Sequence, residues 1–290
     1  MNLLVVGAGT MGRWFARSVA PAIDRVTFAD DDAAAARAAV AAFEERVADQ
    51  PDPPAAAVDG EHADSAAVDV VCVAVPISAV PEAVAEHGSR AERAVVDVSG
   101  EMATAVDALA DAAPDCERAS FHPLFAPGNE PGNCAVVVDR GGPAVRAIRE
   151  ALTDRGNHVF DTTPEEHDRA MATVQARTHA AVLAFGLAAE DVPEEFHTPV
   201  SGPLAALVEN VTGGNPSVYA EIQAAFEGAD AVADAARRIA DVADDAEAFA
   251  EMYEAASAGA FGAGTGEAAA PHDTDAPGHD TDANTDGDGT

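Results

Sequence analysis

Residues 3–12 read Leu3-Leu4-Val5-Val6-Gly7-Ala8-Gly9-Thr10-Met11-Gly12, and the chain then runs through an amphipathic segment to Arg25-Val26-Thr27-Phe28-Ala29-Asp30. An apolar run, a turn with three glycines, a helical spacing and a second apolar run closed by an acid spell strand, turn, helix, strand. Each residue of the turn has a physical task if a dinucleotide sits there. Gly7 permits the tight turn, Gly9 lets the backbone approach a pyrophosphate, and Gly12 lets the helix pack on the strand. The free N–H groups at the helix start, around Thr10 and Met11, together with the positive end of the helix dipole, favour the phosphates. Asp30 stands where a carboxylate accepts hydrogen bonds from the adenosine ribose. A phosphate on that ribose would meet Asp30, Asp31 and Asp32 with no cation nearby, so NAD is expected over NADP.

Outward from this stretch the pattern continues as α/β. Helical spacing covers 33–48, and the Pro- and Asp-rich residues 49–59 read as a loop. Val68 to Val75 is a near-continuous apolar run, as in a parallel strand buried on both faces. It ends at Val75-Pro76-Ile77, on the strand edge where open α/β sheets bind their ligands. A strand at Ala94 to Val98 turns at Ser99-Gly100 on that same edge, and a helix over 101–112 returns the chain. Phe121-His122-Pro123-Leu124-Phe125 leads a short strand into a stiff loop. Strands at 135–138 and 158–161 flank a helix at 143–155. At Thr163-Pro164-Glu165-Glu166 the period changes to a capped helix, and helical spacing holds to about Ala189, then over 203–212, 217–226 and 229–256. The expected organisation is a Rossmann-like dinucleotide-binding domain over 1–162, an all-α substrate and dimerisation domain over 163–260, and a disordered acidic tail over 263–290. Broad apolar helix faces with few aromatics are expected to pair across a twofold axis as a homodimer.

The chain carries 51 acids and 16 bases, every base an Arg, for a net charge of −35. That balance excludes nucleic acid and anionic membrane surfaces as partners, since both attract cations. Yet 48% of residues are hydrophobic, so a core can form, and the acidity reads as a strongly hydrated surface suited to molar salt. No run is long and apolar enough for a membrane span, and a cytoplasmic location is expected. Three widely spaced cysteines imply neither a disulfide framework nor a metal knuckle.

The decision about chemistry rests on residues near the nicotinamide. His122, held between Phe121 and Pro123, could accept a substrate hydroxyl proton as hydride leaves the same carbon. Five segments, in order between residue 3 and about 223, resemble the prephenate dehydrogenases of tyrosine biosynthesis, here of a halophilic archaeal type. They are Gly7-x-Gly9-x-Met11-Gly12-x-Trp14-Phe15, Val75-Pro76-Ile77, His122-Pro123-Leu124-Phe125-x-Pro127, Met171-x-x-x-Gln175-x-x-Thr178-His179 and Asn215-Pro216-x-x-Tyr219-x-x-Ile222-Gln223. The resemblance implies oxidative decarboxylation of prephenate with NAD. It makes His122 the base at the C4 hydroxyl, Val75 and Pro76 part of the cofactor loop, and Gln175, Thr178 and His179 substrate-facing residues.

Two departures from the family pattern bear on the site. The family serine near the catalytic histidine aligns with Gly100, leaving Ser99 as its neighbour and the candidate for that role. The family arginine that holds a substrate carboxylate aligns near Asn210, which leaves Arg177 as the nearest guanidinium candidate. A chain without Lys cannot act as a β-hydroxyacid dehydrogenase of the kind that uses a catalytic Lys. Arogenate as substrate, or a non-catalytic NAD-binding sensor or scaffold, stay as alternatives.

Overall fold

Strand β1 (Asn2–Val6) shows why a sheet forms. Leu3 and Val5 enter one core and Leu4 and Val6 the other, because successive side chains of a strand point to opposite faces and both faces here are covered. The computed structural model describes residues 1–48, 53–59 and 67–259. The expected tail over 263–290 lies outside the described residues.

The first compact unit spans Met1–Ala236. Its sheet has the order β3-β2-β1-β4-β5-β6-β7-β8, with β2 (Arg25–Ala29), β3 (Ala55–Val58), β4 (Val68–Val73), β5 (Ala91–Asp97), β6 (Glu117–Pro123), β7 (Asn133–Arg140) and β8 (His158–Asp161). All neighbours pair in parallel except β6 and β7. The segment 124–132 between those two is too short for a parallel crossover, which takes a dozen or more residues, so the chain returns antiparallel. Helices α1 (Thr10–Ser18), α2 (Ala33–Val47) and α5 (Pro143–Asp154) bury Trp14, Phe15, Phe43, Ile148 and Leu152 on one face. Helices α3 (Val80–His87) and α4 (Ala103–Ala112) bury Val80, Val84 and Leu109 on the other. This is the Rossmann-like arrangement expected, and its topological switch falls between β1 and β4.

The helical region begins where the period changes. Thr163 Oγ1 accepts from the Glu166 N–H at 3.2 Å and opens α6 (Pro164–Met171). One π turn, Ala172–Arg177, follows, then α7 (Thr178–Ala188), α8 (Ser201–Thr212), α9 (Pro216–Ala225) and α10 (Ala229–Asp241). Asn215 caps α9 by accepting from the Ser217 N–H at 3.0 Å, with Pro216 at the first helical position, which gives the Asn-Pro pair a local folding role. Met171, Ala176, Ile222 and Phe226 form a small core on which Leu124 packs.

Two elements differ from expectation. Residues 55–58, expected as loop, form β3 against β2; three of its four residues are Ala, which carry no strand signal, and the pairing comes from the neighbouring edge. The single helix expected over 229–256 is two, because Asp245 Oδ1 accepts from the N–H groups of Glu247 and Ala248 at 3.1 Å each and starts α11 (Ala246–Gly259). The second compact unit, Arg237–Thr290, contains α11. Among the described residues no helix is long and apolar enough to cross a membrane.

Candidate active site

The glycine turn is built by steric exclusion. Gly7 has φ +97°, and a Cβ there would collide with the Ala74 carbonyl at the end of β4; a Cβ on Gly12 would collide with the Gly7 carbonyl. At Gly9 a Cβ would meet nothing within 4 Å, so open space lies against the N-terminus of α1, where Thr10 and Met11 begin the helix. Val75 flanks the turn, its Cγ1 lying 3.2 Å from the place of a Gly7 Cβ, and Pro76 follows at the same edge. The Ala8 N–H donates to Asp30 Oδ2 at 2.7 Å, and the Asp32 N–H to Asp30 Oδ1 at 2.9 Å. A carboxylate has lone pairs to spare for ribose hydroxyls. These residues fit a dinucleotide: a slot at a helix N-terminus for the pyrophosphate, with an anchored acid beside it.

A cation does stand at this turn, against expectation. Arg13 donates from Nε to the Ala8 carbonyl at 2.7 Å and from its guanidinium to the Ala35 carbonyl at 3.4 Å. Spacing hid it because Arg13 precedes Asp30 by seventeen positions; the two share Ala8, which gives its carbonyl to Arg13 and its N–H to Asp30.

His122 sits near the end of β6, 7% exposed. Its Nδ1 lies 2.8 Å from His167 Nε2, and His167 Nδ1 lies 2.7 Å from Asp168 Oδ1. Asp168 also accepts from the N–H groups of Met102 and Ala103, each at 3.0 Å, at the start of α4. On the other side of the ring, Gln175 Nε2 lies 3.4 Å from His122 Nε2. A Cβ on Gly100 would be 3.7 Å from that Nε2 and 3.4 Å from the Ile77 side chain. His122 Nε2 thus faces the ends of β4 and β5, the crevice edge of the sheet.

Burial pushes the His122 imidazole down to about 3, helped by His167 and opposed by Asp168, so the ring is neutral at physiological pH. Burial also lifts Asp168, but the hydrogen bonds from His167, Met102 and Ala103 outweigh it and hold the carboxyl below its ordinary value. Glu101 is raised by burial and by the nearby Asp168 charge. Asp97, fully buried at the end of β5, is raised to about 6 by desolvation despite the Ser99 and Ser120 hydroxyls that oppose the shift.

The other sequence candidates divide. Ser99 Oγ is engaged with Asp97 Oδ2 and lies 3.0 Å from the Glu101 carbonyl; the residue placed against the imidazole is Gly100. Gln175 contacts His122, and its Oε1 is buried without a partner. Thr178 Oγ1 donates to the Thr173 carbonyl at 3.0 Å and Arg177 to Thr173 Oγ1 at 3.2 Å, so both serve the π turn and both are exposed. His179 is half-buried, edge-on to Tyr219 at 4.8 Å, its Nδ1 unpartnered. The opening motif meets the His122 loop through Trp14 and Phe125, whose rings pack at 5.6 Å. Sequence reasoning missed His167 and Asp168. The signal was present: His167, Met171 and Gln175 recur every four residues, and a histidine among the inward positions of a helix needs a polar partner.

A switch-point glycine turn with its anchored acid, and a neutral imidazole on the same edge, define a dehydrogenase with an NAD(P)-binding domain. Residues 2–101 match the family model described as NADP oxidoreductase coenzyme F420-dependent. The 4-amino-4-deoxyprephenate dehydrogenase of Streptomyces pristinaespiralis is 34% identical over 246 residues, 81% of each chain. The probable arogenate/prephenate dehydrogenase of Methanocaldococcus jannaschii is 28% identical over 114 residues, 35% of this chain and 26% of that one. The crystal structure of a prephenate dehydrogenase from A. aeolicus, in complex with hydroxyphenyl propionate and NAD+, has the same fold, with a TM-score of 0.61, 14% identity and coverage of 89% of this chain and 96% of that one. The chain belongs to the prephenate/arogenate dehydrogenase family.

Proposed function

We propose that this protein catalyses the NAD-dependent oxidative decarboxylation of prephenate to 4-hydroxyphenylpyruvate. The observation that carries the reading is the buried, neutral His122 with Nε2 turned to the crevice edge, 3.4 Å from Gln175. NAD would supply the hydride acceptor for C4 of the substrate. His122 Nε2 accepts the C4 hydroxyl proton as the hydride departs and returns it to the oxygen once carbon dioxide has left C1 and the ring is aromatic. Glycine-turn N–H groups and Asp30 hold the dinucleotide, and Gln175 and His179, on the helical segment that follows Thr163, face the substrate. NAD is preferred because three consecutive carboxylates, Asp30 to Asp32, follow β2 where a ribose phosphate would bring further negative charge, while the Arg13 guanidinium is engaged with the Ala8 and Ala35 carbonyls. A homodimer through the helical domain accounts for Leu187, Phe196 and Val200 standing 90%, 75% and 77% exposed. The surface charge fits a halophilic, cytoplasmic setting.

A second reading has its own support. Gly100 leaves room beside His122 Nε2, and Gln175 Oε1 is a second, unpartnered acceptor close by. An amine on C4 brings two N–H donors where a hydroxyl brings one. The 34% identical relative is named for 4-amino-4-deoxyprephenate, which makes that acid the second substrate to try. The test is one assay in salt of about 2 to 4 M, where the screening length is about 3 Å or less. Prephenate, arogenate and the 4-amino acid are each offered with NAD and with NADP while reduced cofactor is followed. Fastest turnover with prephenate and NAD supports the first reading; preference for the amine supports the second; cofactor binding without turnover of any of them defeats both.

A further inference from the structure

His122 does not set its own protonation. Asp168, held below the ordinary carboxylate range, is an acceptor on both oxygens: Oδ1 faces the Met102 N–H and His167 Nδ1, and Oδ2 the Ala103 N–H. Those two backbone groups belong to the first turn of α4 and have no partner within their own helix, so Asp168 is fixed in place by capping an element 65 positions away. A ring nitrogen 2.7 Å from such an oxygen must carry a proton, because two lone pairs at that distance repel. In its neutral form His167 is then protonated on Nδ1 and bare on Nε2. His122 Nδ1, 2.8 Å from that bare nitrogen, must in turn be the donor. The remaining nitrogen, His122 Nε2, is left with its lone pair facing Gln175 and the crevice.

We infer that His167 and Asp168 form a positioning pair which orders the ring protons of the relay, so that His122 presents an unprotonated Nε2 to the substrate. The inference rests on the dehydrogenase reading for its consequence in catalysis, and on geometry alone for the proton order. Neither residue touches the reacting carbon; each acts through His122. Reversing the order would need a second proton, on His167 Nε2 or on Asp168, and of the two carboxyls Glu101, which faces Asp168, takes a proton more readily because burial and the Asp168 charge raise it. Gln175 agrees with the order: its NH2 faces Nε2 and donates to it until substrate replaces that contact.

The direct test is the long-range proton–nitrogen spectrum of histidine-labelled full-length protein in high salt without substrate, with the His122 signals assigned by their loss in His122→Asn. A His122 ring protonated on Nδ1 supports the inference; one protonated on Nε2 overturns it, whatever the enzyme's substrate proves to be. The kinetic arm compares His167→Leu, which removes the acceptor, with His167→Gln, which keeps one. In the Leu variant kcat should fall about 10²-fold or more, within the range of general-base effects, while KM for NAD changes less than about twofold; the Gln variant should recover most of the loss. Equal losses in both variants, following their unfolding temperatures, mean that the residue only packs, and the inference fails. Absence of turnover on every substrate defeats the functional reading and leaves the spectrum to decide the proton order.

Discussion

Ala8 donates its backbone N–H to Asp30 Oδ2 across 2.7 Å, so the acid that ends β2 also pins the glycine turn that follows β1. One side chain thereby shapes the phosphate slot and marks the ribose end of it. Asp30→Ala should weaken NAD binding by about 10- to 100-fold, the worth of one hydrogen bond to a charged group. Quenching of Trp14, the only tryptophan in the chain, gives the titration; unchanged affinity would remove Asp30 from the cofactor site.

His122 gives a pH dependence of definite sign. Its folded value, about 3, lies below the ordinary 6.5, so between those values the unfolded chain binds a proton that the folded chain does not. Stability from this residue is complete above 6.5 and is lost as pH falls toward 3. In activity, the same shift keeps the base free: kcat/KM should show no acid limb at 6.5 that His122 accounts for. A limb at that value which persists in His167→Gln would contradict the buried, neutral assignment.

Asp97 acts in the opposite direction. A carboxyl raised from 3.8 to about 6 in the folded state binds its proton more tightly there than in the unfolded chain. Its contribution therefore favours the fold at low pH and declines as pH rises from 3.8 through 6. Asp97→Asn cannot titrate, so between about pH 4 and pH 8 its stability relative to the parent should increase by about 2 kcal/mol, each tenfold change in proton affinity being worth about 1.4 kcal/mol. Denaturant midpoints across that range measure the change; a constant gap between the two proteins refutes the buried charge.

Gly100 is a substitution site with a readable outcome. Adding a hydroxymethyl group 3.7 Å from His122 Nε2 supplies a donor beside the ring and fills the room that an amine would use. Gly100→Ser should shift the ratio of kcat/KM values toward the hydroxyl substrate by about 10-fold, the scale of one polar contact. A ratio that stays put means that the space plays no part in substrate choice.

Salt is the last lever. With a net charge of −35, carboxylates repel over about 30 Å at 0.01 M salt and only about 3 Å at 1 M. Dialysis to low salt should lower the unfolding temperature and broaden the transition, and returning salt should restore both. A cooperative transition at the same temperature in both conditions would show that surface charge is inert here.

What the sequence determined by itself is local or strictly periodic. The turn Gly7 to Gly12, the two-sided strands and the cap at Thr163 depend on backbone geometry and burial within a few residues, and composition records these directly. His122 and Gln175 were legible because each stands in a dense motif. The tertiary structure alone decided which groups surround them. It placed Asp168 of α6 under the first turn of α4, drew His167 onto His122, turned Ser99 toward Asp97 and put Gly100 at the imidazole. It also brought Arg13 to the turn, and made β3 from alanines that carry no strand signal. Apart from Ser99 with Asp97 and Arg13 with Ala8, these relationships join residues far apart in sequence, and hydrogen-bond partners across such separations are set by how the layers pack, which no local pattern encodes.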